Sequence, residues 1–187
     1  VDHAFQRTGF DKERLFYTQG DFGLFQSSRP AGASAGRTYD NEEQVRAMLR
    51  AQGFTFAPNG ALLLPEDGVP LMEVPAYLIP YCPDDGTEMT TNLRVDASFV
   101  EDAGWHAAAA RYEDWLARSE GRRMLLLELG VGANTPGIIK YPFWRMTAAR
   151  ADVTLAAINL GAYVPDEIRG RSIALDGNIE EVLRELL

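Results

Sequence analysis

Three observations predict an α/β fold with a parallel sheet. The strand-length apolar runs MLLLELG from Met124, VTLAAINLG from Val153 and SIALDG from Ser172 are continuous instead of alternating, as in strands covered on both faces. Helical stretches, HAAAARYEDWLARSEG before the first run and NIEEVLREL after the last, supply a layer to pack on such strands. Each run closes on a glycine-bearing turn, at Gly130, Gly161 and Gly177, and ligands of doubly wound sheets sit outside those carboxyl ends. LGVGANTPG, INLGAY and LDGNIEE are therefore the expected ligand edge of a Rossmann-like sheet.

From the N-terminus, DKERLFYTQGDFGLFQSS (Asp11 to Ser28) mixes aromatics with Gly20 and Gly23 and is expected to form an extended segment, a glycine turn and a second extended segment. The small-residue loop RPAGASAG leads into TYDNEEQVRAMLRAQG, a helix with Asp40 and Glu43 at capping-box spacing and Gly53 at its C-terminal cap. Beyond it, Pro65, Pro70, Pro75, Pro80 and Pro83 exclude long helices up to Asn92. Loops and short strands are expected there, held by apolar residues such as Leu63, Met72 and Leu78. Trp105, Tyr112 and Trp115 recur at helical spacing and are expected to cover the sheet. At the last helix Asn178 and Glu181 repeat the capping arrangement.

Composition limits the function classes. With 187 residues, 46% hydrophobic and 24% charged, the chain suits one domain carrying a small module. A net charge of −9 with no Lys/Arg run repels a polyanion, which argues against nucleic acid. One cysteine rules out a disulfide framework within the chain, and the expected compartment is the cytoplasm. No apolar run reaches the length of a bilayer span, so no membrane association is expected. His3 and His106 form no motif with each other.

Four segments then occur in one order: VDHAFQRTG; YTQGDFGLFQ with a module whose Ser27, Ala31, Cys82 and Asp85 fall at spaced-pair positions; NLRVDASFVED; and LGVGANTP followed by INLG and DGNIEEVL. This order resembles the sirtuins, NAD-dependent protein deacylases and ADP-ribosyltransferases. It is most similar to class M, the macrodomain-linked members, at YTQGDFGLFQ, TYDNEE, FVEDAGW, ELGVGANTPGIIKYPFW and INLG. The likeness covers nearly the whole chain. It implies a partial Rossmann-like NAD-binding domain made of residues 1–28 and 93–187, with residues 29–92 as an inserted module resembling a degenerate zinc ribbon. VDHAFQRTG aligns from the residue after the catalytic Asn of the family. The glycine-rich turn that cradles the NAD pyrophosphate is thus expected upstream of Val1, and the 187 residues alone are expected to bind NAD weakly or not at all.

The resemblance also implies roles. Asp2 matches the acid that hydrogen-bonds the nicotinamide carboxamide, and Phe5 replaces the histidine base of deacylating members. Phenylalanine takes no proton, which argues against deacylation. Class M members use a Gln and an Arg for ADP-ribosyl transfer, here Gln19 and Arg94. Amide and guanidinium groups orient an acceptor without titrating near neutrality, and Arg94 suits a salt bridge equally well. On the cofactor side, Gly130, Gly132 and Asn134 occupy the turn where sirtuins write G-T-S, with Val131 and Gly132 replacing the two hydroxyl residues. Asn159 matches the strand-end Asn at the adenosine ribose, and Asn178 with Ile179 falls where adenine packs on backbone. The family's zinc is held by four cysteines, of which Cys82 alone remains, so no zinc is expected. The implied function is ADP-ribosyl transfer to a protein acceptor, in the family a lipoylated glycine-cleavage-H-like carrier. The alternatives are a non-catalytic scaffold of the same fold and, more weakly, a deacylase.

Overall fold

The structure, a computed structural model, describes residues 4–186, and the chain divides into two compact units, Val1–Arg111 and Tyr112–Leu187. It is mixed α/β with a parallel sheet, as expected, and is consistent with a partial Rossmann-like fold.

The first unit starts with a short helix α1 (Ala4–Arg7) and a 3-10 turn at Lys12–Arg14, where the Asp11 carboxylate accepts the Glu13 N–H at 2.9 Å. Its antiparallel sheet has β1 (Gly20–Ser27) in the centre, with β2 (Tyr39–Asp40) on one side and β5 (Met89–Leu93) on the other. The expected glycine turn falls at Thr18 and Gln19, where the N–H of Gly20, at φ +94, reaches the Tyr17 carbonyl at 3.0 Å, and Gly23 lies within β1. The β1–β5 register shifts between Asp21 and Phe25, and there the Asp21 carboxylate accepts the Gly23 N–H at 2.8 Å. A glycine inside a strand is one mark of such an irregularity.

Helix α2 (Glu42–Ala51) follows β2 directly. Asp40 does stop its first turn, accepting the Glu42 N–H at 3.1 Å. The residue at the N-cap itself, however, is Asn41, whose side-chain N–H donates to the Phe22 carbonyl at 2.8 Å. At the other end Gly53 has φ +92, its N–H reaches the Arg50 carbonyl, and the Phe54 N–H reaches that of Leu49, both at 3.0 Å. These two bonds are a Schellman closure. A small hairpin of β3 (Thr55–Phe56) and β4 (Leu62–Leu63) follows. Met72 is 86% exposed and Leu63 is exposed too, so the apolar contacts expected to hold this stretch do not form at those residues.

Helix α3 (Ala103–Arg118) carries the division between the units. It begins three residues before His106, because Asp102 caps it by accepting the Trp105 N–H at 2.7 Å.

In the second unit β6 (Met124–Leu129), β7 (Val153–Asn159) and β8 (Ser172–Asp176) form a parallel sheet in the order β6-β7-β8. Met124, Leu126, Val153, Leu155, Ala157, Val164 and Ile168 make one core, on which Phe143, Trp144 and Met146 pack. Those three belong to α4 (Lys140–Ala149), a helix not expected from the sequence because Pro142 interrupts its pattern. Pro142 sits in the first turn, where a missing N–H costs nothing. Among the described residues β6 is buried on one face only: Leu125, Leu127 and Leu129 are exposed, contrary to the expectation of two covered faces. The chain ends in α5 (Ile179–Leu186), whose first turn is capped by Asn178 through the N–H groups of Glu180 at 2.9 Å and Glu181 at 3.4 Å. Among the described residues no helix is long and apolar enough to cross a membrane.

Candidate functional site

In the first unit, Gln19 and Arg94 lie opposite each other where β1 and β5 begin and end, next to the Gly20–Leu93 pair. The Arg94 N–H donates to the Gln19 carbonyl at 3.0 Å. The Arg94 side chain turns back on the same stretch, with Nε donating to the Thr18 carbonyl at 3.1 Å. A second guanidinium nitrogen meets the Glu101 carboxylate at 2.5 Å, and the group lies over Phe99 at 4.2 Å and Trp105 at 5.5 Å. The salt bridge considered for Arg94 is therefore present, together with a two-ring platform. Arg94 thereby fixes the carbonyl immediately before Gln19, tying the half-buried amide residue to the segment that follows β5.

Two features that sequence reading missed hold this corner. Gln26 and Asn92 are buried and form a closed network: the Gln26 Oε1 accepts the Asn92 amide at 2.8 Å and the Val100 N–H at 2.9 Å, and Asn92 also donates to the Val100 carbonyl at 2.9 Å. Gln26 Nε2 donates to the Ser98 carbonyl at 2.8 Å, so the whole loop from Arg94 to Glu101 is anchored to the sheet. Satisfied buried amides of this kind fix one geometry. The second feature is Gly20, at φ +94, where an added Cβ would stand 2.1 Å from the Asn92 carbonyl oxygen and 2.8 Å from the Phe99 ring. For the amide pair the available sequence signal was an uncharged polar residue at an inward strand position.

Phe5 is exposed on α1 and packs edge-on against Phe10 with ring centres 5.4 Å apart. Asp2 and His3 lie outside the described residues.

In the second unit the carboxyl edge of the sheet is built by strand ends that bond to one another. The Gly130 N–H reaches the Ile158 carbonyl at 2.9 Å, the Gly177 N–H reaches that of Asn159 at 3.2 Å, and the Asp176 carboxylate accepts the Gly161 N–H at 2.7 Å. Gly130 adopts φ +66, and a Cβ on it would stand 3.2 Å from the Ile179 side chain, which places those two predicted residues side by side. Gly132 and Asn159 line a common pocket with Lys140, Trp144 and Tyr163. Asn134 sits on the exposed loop after β6 and does not line that pocket, and Asn178 serves as the α5 cap.

Beneath the pocket lies a residue the sequence reading passed over. Glu128 is the third inward position of β6 after Met124 and Leu126, is 2% exposed, and meets Lys140 Nζ at 2.8 Å. Its Oε1 has no hydrogen-bond partner. An acid at the buried parity of an apolar strand was the available signal. These residues fit the ribosyl nucleotide that the resemblance implies. The backbone at Gly132 is open to close approach, with no heavy atom within 4 Å of where a Cβ would stand, and Asn159 offers an amide. Glu128 adds a buried acceptor that lacks a donor.

The positions aligned with zinc ligands do not fit that metal. Ser27 Oγ is hydrogen-bonded to Thr87 Oγ1 at 2.7 Å, and Thr87 donates through its hydroxyl at 2.7 Å and its N–H at 2.9 Å to one oxygen of Asp85. Ala31 brings no donor atom, and Cys82 Sγ lies 3.2 Å from the Tyr39 hydroxyl. The Tyr39 hydroxyl in turn donates to Asp84 at 2.6 Å. Burial raises the Tyr39 phenol well above its ordinary range, helped by the bond to Asp84. The hydroxyls of Ser34 and Thr87 hold the Asp85 carboxyl well below the usual carboxylate range. Hard oxygen donors already committed to one another are a poor set for a thiolate-loving ion.

No family model matches the chain. Among curated proteins, the whole chain is similar to a protein ADP-ribosyltransferase of Staphylococcus aureus (strain Mu50 / ATCC 700699), 32% identical over 189 residues that make up 54% of that protein. It is also similar over its whole length to a probable bifunctional ADP-ribose hydrolase/ADP-ribosyltransferase of Fusarium oxysporum f. sp. cubense, 28% identical over 196 residues and 30% of that protein. The chain thus spans about half the length of the first relative and less of the second.

Proposed function

We propose that the protein is a sirtuin-type, class M, NAD-dependent ADP-ribosyltransferase acting on a carrier-type protein in the cytoplasm. The observation that carries this reading is the likeness of the entire chain to a protein named an ADP-ribosyltransferase. The backbone-paired Gln19 and Arg94 support it. NAD supplies the chemistry, since its glycosidic bond to nicotinamide breaks and ADP-ribose passes to an acceptor nucleophile. In this reading Gln19 orients that acceptor through its amide, which needs no change of protonation. Arg94 acts as a positioning residue through the Thr18 carbonyl and Glu101. Gly132 lets a nucleotide approach the backbone, and Asn159 presents its amide beside it. Phe5 provides no base, so acetyl-lysine peptides are expected to be poor substrates.

The test incubates the protein with labelled NAD and a lipoylated glycine-cleavage-H-like carrier, both as the 187-residue chain and as the reading frame extended upstream of Val1. Label is expected on the carrier with the extended form. Gln19→Ala should cut labelling by about a hundredfold, as misplacing a reactant does, with an unchanged melting temperature. Arg94→Ala should lower labelling and also loosen the loop it ties. Labelling that survives Gln19→Ala would remove Gln19 from the reaction, and no labelling in any form would favour the scaffold reading.

A further inference from the structure

We infer that the exposed apolar face of residues 57–81, in the segment after α2, docks a basic amphipathic helix of a partner protein; the inference does not depend on the transferase reading. Leu63, Leu64, Val69, Leu71, Met72 and Tyr77 are all exposed, and Val69, Met72 and Tyr77 keep 70, 86 and 81% of their surface in solvent. Large apolar side chains gathered outside a core mark an interaction site. Three contacts bring most of them to the C-terminal end of α2: Leu63 stands opposite Thr55 in the hairpin, the Pro65 ring lies 3.1 Å from where a Cβ on Gly53 would stand, and the Leu71 N–H donates to the Gln52 carbonyl at 3.0 Å. Leu63, Leu64, Leu71 and Met72 are therefore held on backbone that is tied to residues 52–55. Farther along, the Leu78 carbonyl accepts the Gln44 amide, which returns the Tyr77 stretch to α2.

The charge around this face decides the partner. Residues 51–93 contain no Lys, Arg or His, while Glu66, Asp67, Glu73, Asp84, Asp85 and Glu88 are acidic, so this stretch carries six of the nine net negative charges. In LLLPEDGVPLMEV, from Leu62 to Val74, the acids alternate with the apolar residues themselves. Arg46 and Arg50, the bases that precede the stretch, are turned onto its Phe56 ring at 4.6 and 5.4 Å, and Arg46 is also paired with Glu42 at 2.8 Å. The complement is a surface with apolar anchors flanked by Lys or Arg. An anionic lipid surface or a second copy of this face would bring negative charge against negative charge. The strand β4 is two residues long, too short an edge for a partner strand to pair along. Side chains must make the contact, as they do when an amphipathic helix lays its anchors on an apolar face.

Fluorescence anisotropy with the 187-residue chain tests the face, using a labelled Leu/Lys peptide of about five helical turns with Leu on one side and Lys on the other. The control peptide has Glu in place of every Lys. The Leu/Lys peptide is expected to bind at least about tenfold more tightly than the Leu/Glu peptide at low salt, and to lose that margin as ionic strength rises. Leu71→Ser combined with Met72→Ser should weaken binding by about tenfold with an unchanged melting temperature, because a few apolar anchors carry most of an interface. Glu66→Lys, Asp67→Lys and Glu73→Lys together should reverse the preference between the peptides. In the wild type, amide resonances of residues 57–81 should shift on titration, which locates the contact even if a variant fails to fold. No binding, equal binding of the two peptides, shifts confined to other residues, or affinity unchanged by the two serines would each overturn the assignment. A dimer in sedimentation that the two serines dissolve would assign the face to a second copy instead, and tighter binding to phosphatidylglycerol vesicles than to the Leu/Lys peptide would assign it to a membrane.

Discussion

Among the described residues of the unit that ends at Arg111 the buried side chains are largely polar, with Asp21, Gln26, Ser27, Ser34, Asn41 and Asn92 outnumbering the apolar ones. In the unit that begins at Tyr112 they are aliphatic, around Met124, Leu126, Val153, Leu155 and Ile168, with Glu128 and Thr147 as buried polar residues. Apolar burial is non-directional and tolerates shape changes, whereas a hydrogen-bonded network holds one orientation. The difference matches what each unit presents. Gln26 and Asn92 hold the loop carrying Arg94 in one orientation, whereas the parallel sheet rests on an aliphatic core. The contrast is testable by breaking each kind of support in turn.

The largest effect is expected at Gly20. Its φ of +94 strains any side chain, and a Cβ would stand 2.1 Å from the Asn92 carbonyl oxygen, inside the polar network. Gly20→Ala must move β1 away from β5, opening the amide cluster and the backbone pair between Gln19 and Arg94. A loss of more than about 4 kcal/mol is expected, the range reserved for backbone strain and broken buried networks. Urea denaturation gives the total, and amide exchange locates it, with protection falling in β1 and β5. Retained protection in those strands would show that the first unit does not depend on this geometry.

The same contrast explains how much could be read from the residues. The three parallel strands were legible because apolar runs ending in glycine have one interpretation, and Asn178 as a cap was legible because its role is local. Helix α4 was not, since Pro142 reads as a break until it is known to lie in the first turn. The turn closing on Gly20 was legible from its glycines, but the close approach of the Asn92 carbonyl to Gly20 was not, because that partner is distant in sequence. Leu63 and Met72 misled for a related reason: apolar content signals burial only when a partner surface exists, and here the hydroxyl and carboxylate network around Thr87 ties the segment. Of the candidate site, the Gln19 and Arg94 pair and the Gly132 and Asn159 edge came from what the family resemblance implies. Glu128 escaped because the run was read as uniformly apolar.

An intermediate effect separates the two faces of the parallel sheet. Leu155 is fully buried in the core, so Leu155→Ala should cost about 2–5 kcal/mol through lost transfer and the cavity left behind. Leu125, on the outer face of β6, is 61% exposed, and Leu125→Ala should cost less than about 0.5 kcal/mol. Thermal or urea unfolding of both variants measures the gap. If Leu125→Ala proves as costly as Leu155→Ala, the sheet is packed on two sides.

The smallest effect is at Asp85, which titrates within the hydrogen-bonded network of Ser27 and Thr87. Hydrogen bonds from the Ser34 hydroxyl, then from the Thr87 hydroxyl and N–H, hold its folded-state value below the ordinary 3.8. A carboxyl depressed in the folded state binds its proton more readily when unfolded, so between the two values stability rises with pH. The contribution is therefore complete above about pH 4 and is lost as pH falls through the lower folded-state value. Because Asp85 is exposed, solvent screening keeps the contribution small. Asp85→Asn keeps one acceptor for Thr87 but removes the charge that strengthens the bonds. The urea midpoint of the wild type should exceed that of Asp85→Asn by a constant margin from neutrality down to about pH 4, and the two should converge below it. A margin that persists unchanged to pH 2 would mean that Asp85 stabilises by shape and not by its charge. In that case the polar character of the first unit would rest on Gln26 and Asn92, which do not titrate.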